Sequence, residues 1–429
     1  MKKHLEHSSE LITAKAGLLV CDAFQKYIQL SELIDTTFPR PGSNRGFPHS
    51  KYITTLVQMF HDGASELEDV KELSEDKALQ KMIDVNSYPT SDAIGDWLRR
   101  QGESKGEENL WKVMKGLFTT IPGENFTLDI DAVIIESNKG DAAKTYKGIT
   151  GYQPMLGIIA ENNLTIFSEF RQGNRSPQEG IVNFIKECRE NIGNRISYIR
   201  SDSAAFQKSV AKYITKENMY YSITARQNES ILERINEIPE QAWSRGIDAE
   251  GIKTSYQVAE IDYAFIGKRK PSRLVVKRER KAGNQLDMFY SNQYRYWAII
   301  TNLPSETHST NQVILTHQMR GQMEKSIGEL KHQCSLDHLP CGQFGANAMY
   351  FTIGILAANL LQLIKRDTFF DNYIKSTIKS FRHKLIHLPA RVIKHGRILL
   401  IKIVSSFEKF NLIQSAYLRY CLSPPLLLC

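Results

Sequence analysis

The sequence lacks several features that would place it outside the ordinary globular proteins. Its six cysteines form no Cys-x-x-Cys pair, and the spacing of Cys334, His338 and Cys341 fits no familiar zinc site. No apolar signal-peptide segment follows the basic start of the chain. The most apolar stretch, 349–364, is interrupted by polar residues and is short for a bilayer. Disulfide-scaffold, secreted and membrane-spanning classes are therefore disfavoured, and free thiols in a reducing cytoplasm are expected.

The positive charge is concentrated in two segments. The chain has 429 residues and a net charge of +8, with 41% hydrophobic residues, enough for a sizeable core and two or three domains. Residues 365–409 contain eleven Lys/Arg against three acids, a surplus equal to the whole net charge. Residues 268–281 contain eight basic residues and one acid. Such clusters are either solvated surface or patches that neutralise phosphates.

The apolar spacing changes character along the chain. Residues 1–120 show spacings of three and four, which predict a mostly helical region. After Gly123 we predict strands, helix, strand, helix and strand in the order 126–135, 156–160, 164–170, 178–191, 196–201, 204–217, 219–225. That order matches the core of a ribonuclease H-like α/β fold, a mixed five-stranded sheet with helices whose first three strands form a meander.

Residues 226–300 then read as a β-rich insertion, with strands at 258–266, 273–278 and 294–301, before the chain becomes helical again. The predicted division has five parts: helical N-terminal region 1–120, first part of the core 124–226, β-rich insertion 227–305, second part of the core 306–366, basic helical C-terminal region 367–429.

Two aspartates, Asp129 and Asp131, lie inside the predicted strand 126–135. Because side chains alternate between the faces of a strand, both carboxylates share one face, about 7 Å apart. A carboxylate in an apolar strand is costly to desolvate unless it is paired, hydrogen-bonded or bound to a cation. The pair is therefore a candidate cation site, the alternative being a strand end in solvent.

A third aspartate, Asp202, follows the strand 196–201 directly and precedes a predicted helix. Ligand sites gather at strand ends in α/β sheets. Aspartate is also a common helix N-cap, so this residue alone fits both roles.

Four polar residues share one stripe of a predicted helix: His317, Arg320, Glu324, Lys331. Four apolar residues form the adjoining stripe and are expected in the core: Met319, Met323, Ile327, Leu330. Glu can ligate a metal ion while Arg and Lys contact phosphates. The ordinary alternative is a surface Arg–Glu pair four residues apart, which contributes only tenths of a kcal/mol.

Taken together, the acids have the order of a two-metal phosphoryl-transfer site: one on a first strand, one after a fourth strand, and one on a late helix. Two divalent ions about 3.5–4 Å apart need several carboxylate oxygens. Hard oxygen ligands suit Mg²⁺ or Mn²⁺.

The segment 317–331 has the order His, two spacers, Arg, three spacers, Glu, six spacers, Lys. It resembles the DDE transposases of bacterial insertion sequences, in the group whose signature has Tyr in first place. Further matches to that family lie in the segments 128–132, 146–148, 151–154, 170–174, 200–203, 344–347 and 356–360. The resemblance covers roughly 125–365. It departs at His317, which replaces the Tyr, and at Val133, where the family often has Thr.

The resemblance implies a catalytic and metal-ligating set of Asp131, Asp202 and Glu324, with Asp129 as the alternative first carboxylate. It implies two Mg²⁺ ions, with Mn²⁺ as substitute, and double-stranded DNA as partner, at terminal inverted repeats and at a target. It further implies a homodimer that holds both ends, in a bacterial cytoplasm near the nucleoid. The expected DNA-binding residues are His317, Arg320, Lys331, Arg171, Asn174, Trp297, Arg273 and Lys277.

In related enzymes the insertion contacts the DNA end, in some through a hairpin intermediate. Trp243, Tyr296 and Trp297 are candidates to stack on a flipped base there, and core packing is their alternative role. Two other functions stay open: an inactive, transposase-derived DNA-binding protein, and a ribonuclease H-like nuclease without transposition.

Overall fold

A computed structural model describes residues 3–41, 46–267, 271–281, 293–368 and 373–426. Its helices are α1 Leu18–Tyr27, α2 Leu30–Thr37, α3 His49–Asp62, α4 Val70–Glu75, α5 Lys77–Met82, α6 Ser91–Gly102, α7 Gly106–Thr119, α8 Ile181–Asn191, α9 Lys208–Lys216, α10 Glu229–Asn236, α11 Thr310–Gln318, α12 Gly321–Gly328, α13 Phe344–Thr368, α14 Ile378–Phe381 and α15 Phe407–Leu422. Parts of both predicted basic clusters, 268–270 and 369–372, lie outside the described residues.

The strands are β1 Ile12–Thr13, β2 Phe126–Ala132, β3 Ile135–Glu136, β4 Ala143–Lys144, β5 Thr150–Tyr152, β6 Met155–Ile159, β7 Leu164–Glu169, β8 Ile196–Ser201, β9 Tyr220–Thr224, β10 Ser244–Ile247, β11 Lys253–Tyr263, β12 Ser272–Arg280, β13 Tyr294–Thr301, β14 Ala390–His395 and β15 Ile398–Ile403. The fold is therefore mixed α/β, as predicted.

A mixed sheet forms the centre of the molecule, in the order β10-β11-β12-β13-β9-β8-β2-β6-β7. β2 pairs antiparallel with β6 and parallel with β8, and β8 pairs parallel with β9. The β6–β7 turn has Asn163 at a φ of 58°, a left-handed conformation that Asn tolerates, as the predicted turn requires. This arrangement brings the carboxyl ends of β2 and β8 together at one edge.

The strands of the predicted insertion do not form a sheet of their own. β13 pairs antiparallel with β9, with Ile299 opposite Thr224, so the insertion extends the central sheet to nine strands. One side of its sheet packs under α11, in a small apolar cluster that includes Val258, Val275 and Ile314.

The N-terminal helices pack around α13. Gly102 at the end of α6 and Gly345 at the start of α13 approach so closely that a Cβ built on Gly345 would lie 2.3 Å from the Gly102 carbonyl oxygen. His61 in α3 lies 2.9 Å from the Ala357 carbonyl oxygen. Helix α13 is long and apolar enough to cross a membrane, but 89% of its most apolar 18-residue stretch is buried inside the fold. It is the central helix onto which the first hundred residues fold.

Two predicted helices differ in the structure. The single helix expected through 317–331 breaks at Met319 and Arg320, so α11 ends at Gln318 and α12 begins at Gly321. Met319 points outward at 60% exposure instead of entering the core, whereas Met323 and Leu330 are buried as expected. The helix predicted from 178 begins at Ile181, because Gly180 before it adopts a φ of 74°.

The C-terminal region, predicted to be helical, also contains a β-hairpin. β14 and β15 pair in register from Ala390 opposite Ile403 to His395 opposite Ile398. β-branched and other apolar residues in both segments suit strands, and Gly396, at a φ of 62°, permits the tight turn between them. β1 joins the hairpin through Thr13 opposite Ala390, which makes a three-stranded sheet.

Candidate functional site

The register of two parallel strands places Asp131 beside Asp202. In β2 and β8, Asp129 is the partner of Arg200 and Ile130 is the partner of Ser201. Asp131 and Asp202 each come one residue later, so they lie side by side at the carboxyl ends of β2 and β8. Ligand sites gather at this edge of an α/β sheet.

Asp129 is held in a buried ion pair. Nε and Nη2 of Arg200 donate to its two carboxylate oxygens at 2.6 and 2.7 Å, and both side chains are at most 3% exposed. Nη1 of Arg200 also donates to the Thr316 carbonyl oxygen at 2.8 Å. The pair therefore ties β2 and β8 to the end of α11, and it leaves Asp131 as the carboxylate that faces outward.

A cleft of about 490 Å³ opens over this edge of the sheet, and Asp131 and Asp202 both line it. Polar and basic residues from other segments complete its walls: Lys144, Tyr146, Asn174, Arg175, Gln178, Arg226. Asp202 is half-buried and its side chain accepts a hydrogen bond from the Ala204 backbone amide at 2.9 Å, so it is a helix cap and a cleft residue at once. Two carboxylates with basic neighbours can bind a cation and a phosphate together.

Electrostatics at Asp131 link the three predicted acids. Burial raises the pKa of Asp131 to about 6, the Arg320 guanidinium opposes that rise, and the nearby Asp202 and Glu324 carboxylates add to it. Nη2 of Arg320 donates to Oδ2 of Asp131 at 2.6 Å, and the Ala132 amide donates to Oδ1 at 2.9 Å. Arg320 thus supplies the positive charge that compensates this carboxylate.

Glu324 lies on α12 with an exposed side chain and is not among the residues that line the cleft, although its charge acts on Asp131. Arg320 stands at the N-terminus of the same helix, one turn earlier. Nζ of Lys331 donates to the Ile134 carbonyl oxygen at 3.0 Å, which fastens the chain after α12 to the segment that follows β2. Arg320 and Lys331 therefore bracket Glu324 and hold its helix against the strand that carries Asp131.

The three acids suit a hard divalent cation, because Asp131, Asp202 and Glu324 offer carboxylate oxygens. A cation would also offset the burial and the neighbouring negative charges that raise the pKa of Asp131. Within the described ranges, however, no three His, Cys, Asp or Glu side chains lie close enough together to hold a metal ion. Arg320 makes the contact to Asp131 instead. A metal site here would require Arg320 to leave Asp131 and Glu324 to turn inward.

His317 is in the interior, not on a DNA-facing stripe. Its ring nitrogens lie 2.8 Å from the Ser222 hydroxyl and 3.0 Å from the Thr224 hydroxyl of β9. Burial, followed by the Arg320 and Arg200 charges, lowers its pKa to about 3, so the ring is neutral. The predicted direct contact with DNA is not accessible in this conformation, because the His317 ring is buried against the Ser222 and Thr224 hydroxyls of β9.

The other predicted DNA-binding residues are in different environments. Arg171 is buried, pairs with Glu169 and donates to the Glu179 carbonyl oxygen at 3.1 Å, so its head group is not available. Asn174 is exposed and lines the cleft. Nη2 of Arg273 lies 2.5 Å from Oε2 of Glu260, and the Arg273 side chain is only 11% exposed.

The aromatic candidates of the insertion lie on opposite faces of the sheet. Trp297 is 38% exposed, and Nζ of its cross-strand neighbour Lys277 lies 5.1 Å from the ring centroid. Trp243 is buried on the other face, against the Arg278 guanidinium at 4.1 Å, and Tyr296 lies beside it. Only Trp297 of the three presents an accessible ring, with a cation next to it.

Sequence reasoning missed several residues of this site. Arg200 had a readable signal, since a basic residue inside an apolar strand must find a buried acid, and Asp129 sits in such a strand. Arg226 and Lys144 reach the cleft from a loop after β9 and from β4, and no spacing rule connects them to Asp131.

The fold and the cleft define an α/β protein with an acidic site, flanked by basic groups, at the ends of neighbouring parallel strands. Residues 3–421 match the family described as "Transposase DDE domain group 1", so the chain belongs to this family and is a DDE transposase. No curated protein matches it. A solved structure titled "Cryo-EM structure of piggyBac transposase synaptic complex with hairpin DNA (SNHP)" is similar at a TM-score of 0.47 and 13% identity, covering 98% of this chain and 85% of that one.

Proposed function

We propose that this transposase cleaves DNA at the terminal inverted repeats of an insertion sequence and joins the ends to target DNA by cut-and-paste transposition. The observation that carries the proposal is the placement of Asp131 and Asp202 on adjacent strand ends in one cleft, with Asp129 withdrawn into the Arg200 pair. Family membership supports transposition as the process.

The five strands β7-β6-β2-β8-β9 support a ribonuclease H-like core, since the first three form an antiparallel meander and the next two add in parallel. In this proposal the remaining four strands belong to the insertion between the second and third acids. The helical segments on either side would then flank one catalytic core.

Asp131, Asp202 and Glu324 are the residues that would hold two Mg²⁺ ions, or Mn²⁺ in their place. When bound, the ions supply Lewis-acid activation of the attacking oxygen and stabilisation of the leaving oxygen. The protein's own groups position the DNA: Asn174 and Arg226 from the cleft walls, and Arg320 and Lys331 beside Glu324. No covalent enzyme nucleophile is needed.

Trp297 and Lys277 offer a second contact, because an accessible indole beside a cation suits stacking on an unpaired base next to a phosphate. We place double-stranded DNA as the partner, a homodimer as the unit that holds two ends, and the nucleoid of a bacterial cytoplasm as the location.

The test is incubation of the purified protein with the ends of its own element and Mg²⁺, with the broken strands mapped. Asp131→Asn, Asp202→Asn and Glu324→Gln should each abolish cleavage while DNA binding persists, because each removes a ligand charge and keeps the size of the side chain. Glu136→Gln, at an exposed acid on β3 near Asp131, is the matched control and should cleave normally.

Three outcomes would overturn parts of the proposal. Cleavage that survives any of the three substitutions rejects the assigned site. If wild-type protein binds the ends but never cuts them, it is the inactive DNA-binding protein of the alternative hypothesis. The Arg320–Asp131 contact would favour that outcome, because it occupies a proposed metal ligand. Cutting without joining identifies a nuclease.

A further inference from the structure

The hairpin β14–β15 is anchored at its base and free at its tip. Ala390 and Val392 are buried, and the Val392 amide donates to the Leu11 carbonyl oxygen at 2.8 Å. Beyond Ile393 every residue from 394 to 400 is exposed, and we call these residues the hairpin tip. The tip is therefore a projecting two-stranded ribbon whose conformation is set by a β ladder and a two-residue turn.

The hairpin tip exposes three aliphatic side chains in succession. Ile398 is 69% exposed and Leu400 is 44% exposed, with Leu399 between them at 37%. Leaving such side chains in water forgoes roughly 1.5–3 kcal/mol each relative to burial, and contiguous exposed aliphatic residues commonly mark an interaction surface. Because side chains alternate between the faces of a strand, Ile398 and Leu400 share one face and Leu399 lies on the other, so both faces of the tip offer apolar groups to a partner.

The hairpin and the residues that flank it in sequence carry charge of one sign, and Glu10, from the N-terminal segment, pairs with Arg391 at the base. Residues 373–407 contain eight Lys/Arg and no Asp or Glu. Lys394 and Arg397 lie on the tip itself, and Lys394 is the cross-strand neighbour of Leu399. A continuous polyanion complements such a surface, whereas a second copy of the same basic hairpin would be repelled.

The hairpin is firmly joined to the segment that carries Glu324. Nη2 of Arg382, just before the hairpin, donates to the Gln333 carbonyl oxygen at 2.9 Å and to the Phe60 carbonyl oxygen at 3.0 Å. The Lys379 amide donates to Oε1 of Gln333 at 2.8 Å. Gln333 ends the helical turn that follows α12. The basic hairpin and the helix that carries Glu324 are therefore held together through Gln333.

We propose that the hairpin tip inserts into the minor groove of duplex DNA. Lys394 and Arg397 contact phosphates on the groove walls, and Ile398, Leu399 and Leu400 pack as an apolar wedge against sugars and base edges, which bends the duplex. Basic ribbons with aliphatic tips suit this groove, because readout there depends on width and on wedge insertion more than on hydrogen-bond pattern. The proposal rests on DNA being the partner, and it adds a DNA-bending element separate from the acidic cleft.

The charge half is tested by Lys394→Gln/Arg397→Gln in the full chain, with binding to a short mixed-sequence duplex measured over a range of salt. Losing two phosphate contacts should make the slope of log affinity against log salt less steep by about 1.8. Lys212→Gln/Lys216→Gln removes the same charge from an exposed face of α9 and should leave the slope nearly unchanged.

The aliphatic half is tested by Ile398→Ser/Leu399→Ser/Leu400→Ser. Affinity should fall roughly ten- to hundredfold while the salt slope is retained, because the lost contacts are apolar. Energy transfer between dyes on the two duplex ends should report a straighter DNA, and distamycin, a minor-groove ligand, should compete with wild type. An unchanged melting temperature shows that the exposed substitutions leave the fold intact.

The outcomes separate this proposal from the transposase site. Wild-type bending and affinity in both variants reject the hairpin proposal, whatever happens to cleavage. Loss of cleavage in Asp131→Asn with normal bending supports both. If the serine variant binds DNA normally but loses binding to phosphatidylserine vesicles, the tip is a membrane contact and the proposal fails. If it changes only the oligomeric state, the tip joins protein copies and the proposal also fails.

Discussion

Arg320 and Asp131, 189 residues apart in sequence, form an ion pair in which Nη2 lies 2.6 Å from Oδ2. The guanidinium thereby occupies the position at which the proposed divalent cation would compensate the same carboxylate. The pair is partly buried, with side-chain exposures of 16% and 22%, so its charges are only partly screened by water. Cation binding and the Arg320 contact are therefore in competition.

We expect Arg320→Gln to bind Mn²⁺ more tightly than wild type when DNA is absent, by roughly tenfold, because a competing positive charge is gone. Calorimetric titration with Mn²⁺ measures this directly. Lys325→Gln removes an exposed charge from the same helix and should change the affinity little. Equal or weaker Mn²⁺ binding by Arg320→Gln would mean that the guanidinium does not compete with the cation for Asp131.

The two neighbouring aspartates should respond differently to the same substitution. Asp129→Asn leaves the buried Arg200 charge without its acid and should cost about 3–5 kcal/mol of unfolding free energy. Asp131→Asn removes a carboxylate whose pKa is raised by burial, so its unfolding free energy should change by less than about 1 kcal/mol. Urea unfolding of both variants measures the two losses; similar losses would contradict the different environments of the two residues, and a reversed ranking would show that their roles are exchanged.

His317 should make stability depend on pH. Its pKa is about 3 in the folded chain against 6.5 ordinarily, so the unfolded chain takes up a proton first and stability falls as the pH drops below 6.5. Between pH 6.5 and 5 the loss should be about 2 kcal/mol. His317→Gln should lack this component in urea unfolding, and the exposed His338→Gln should keep it. Parallel pH profiles for wild type and His317→Gln would contradict a buried, neutral ring.

The crossing of α6 and α13 should tolerate no side chain. Gly345→Ala would press its Cβ against the Gly102 backbone and should cost about 2–4 kcal/mol, because backbone atoms on both sides must move. Gly342→Ala, three residues earlier, has open space around the new Cβ and should be nearly neutral. Thermal unfolding of the two variants compares them, and equal melting temperatures would argue against the close crossing.

Local rules predicted the elements with strong patterns. The strands 196–201 and 294–301 have the same bounds in the structure, because β-branched and aromatic residues dominate them. Thr90 precedes α6 and caps it, as Thr commonly does at a helix start, with its hydroxyl accepting from the Ala93 amide at 3.2 Å. A spacing of two also placed Asp129 and Asp131 on one face, but only the partner strand determines that Arg200 takes the first of them.

Long-range contacts decided what the sequence could not. Helical spacing runs unbroken through 317–331, and the break at Met319 arises because His317 bonds to β9 while Arg320 turns to β2. The C-terminal hairpin was missed since its basic residues also suit a helix, and its pairing with β1 lies far away in sequence.

The packing of His61 against Ala357, 296 residues apart, has a consequence for biosynthesis. At about 5–20 residues per second, the ribosome needs about 15–60 s after α3 emerges to supply its partner helix α13. Until then the faces of α3 and α6 that pack on α13 have no native surface to cover them. β1 likewise has no partner strand until β14, far later in the chain, has been synthesised, because Thr13 pairs with Ala390. The N-terminal region can therefore reach its native packing only after both α13 and β14 have been synthesised.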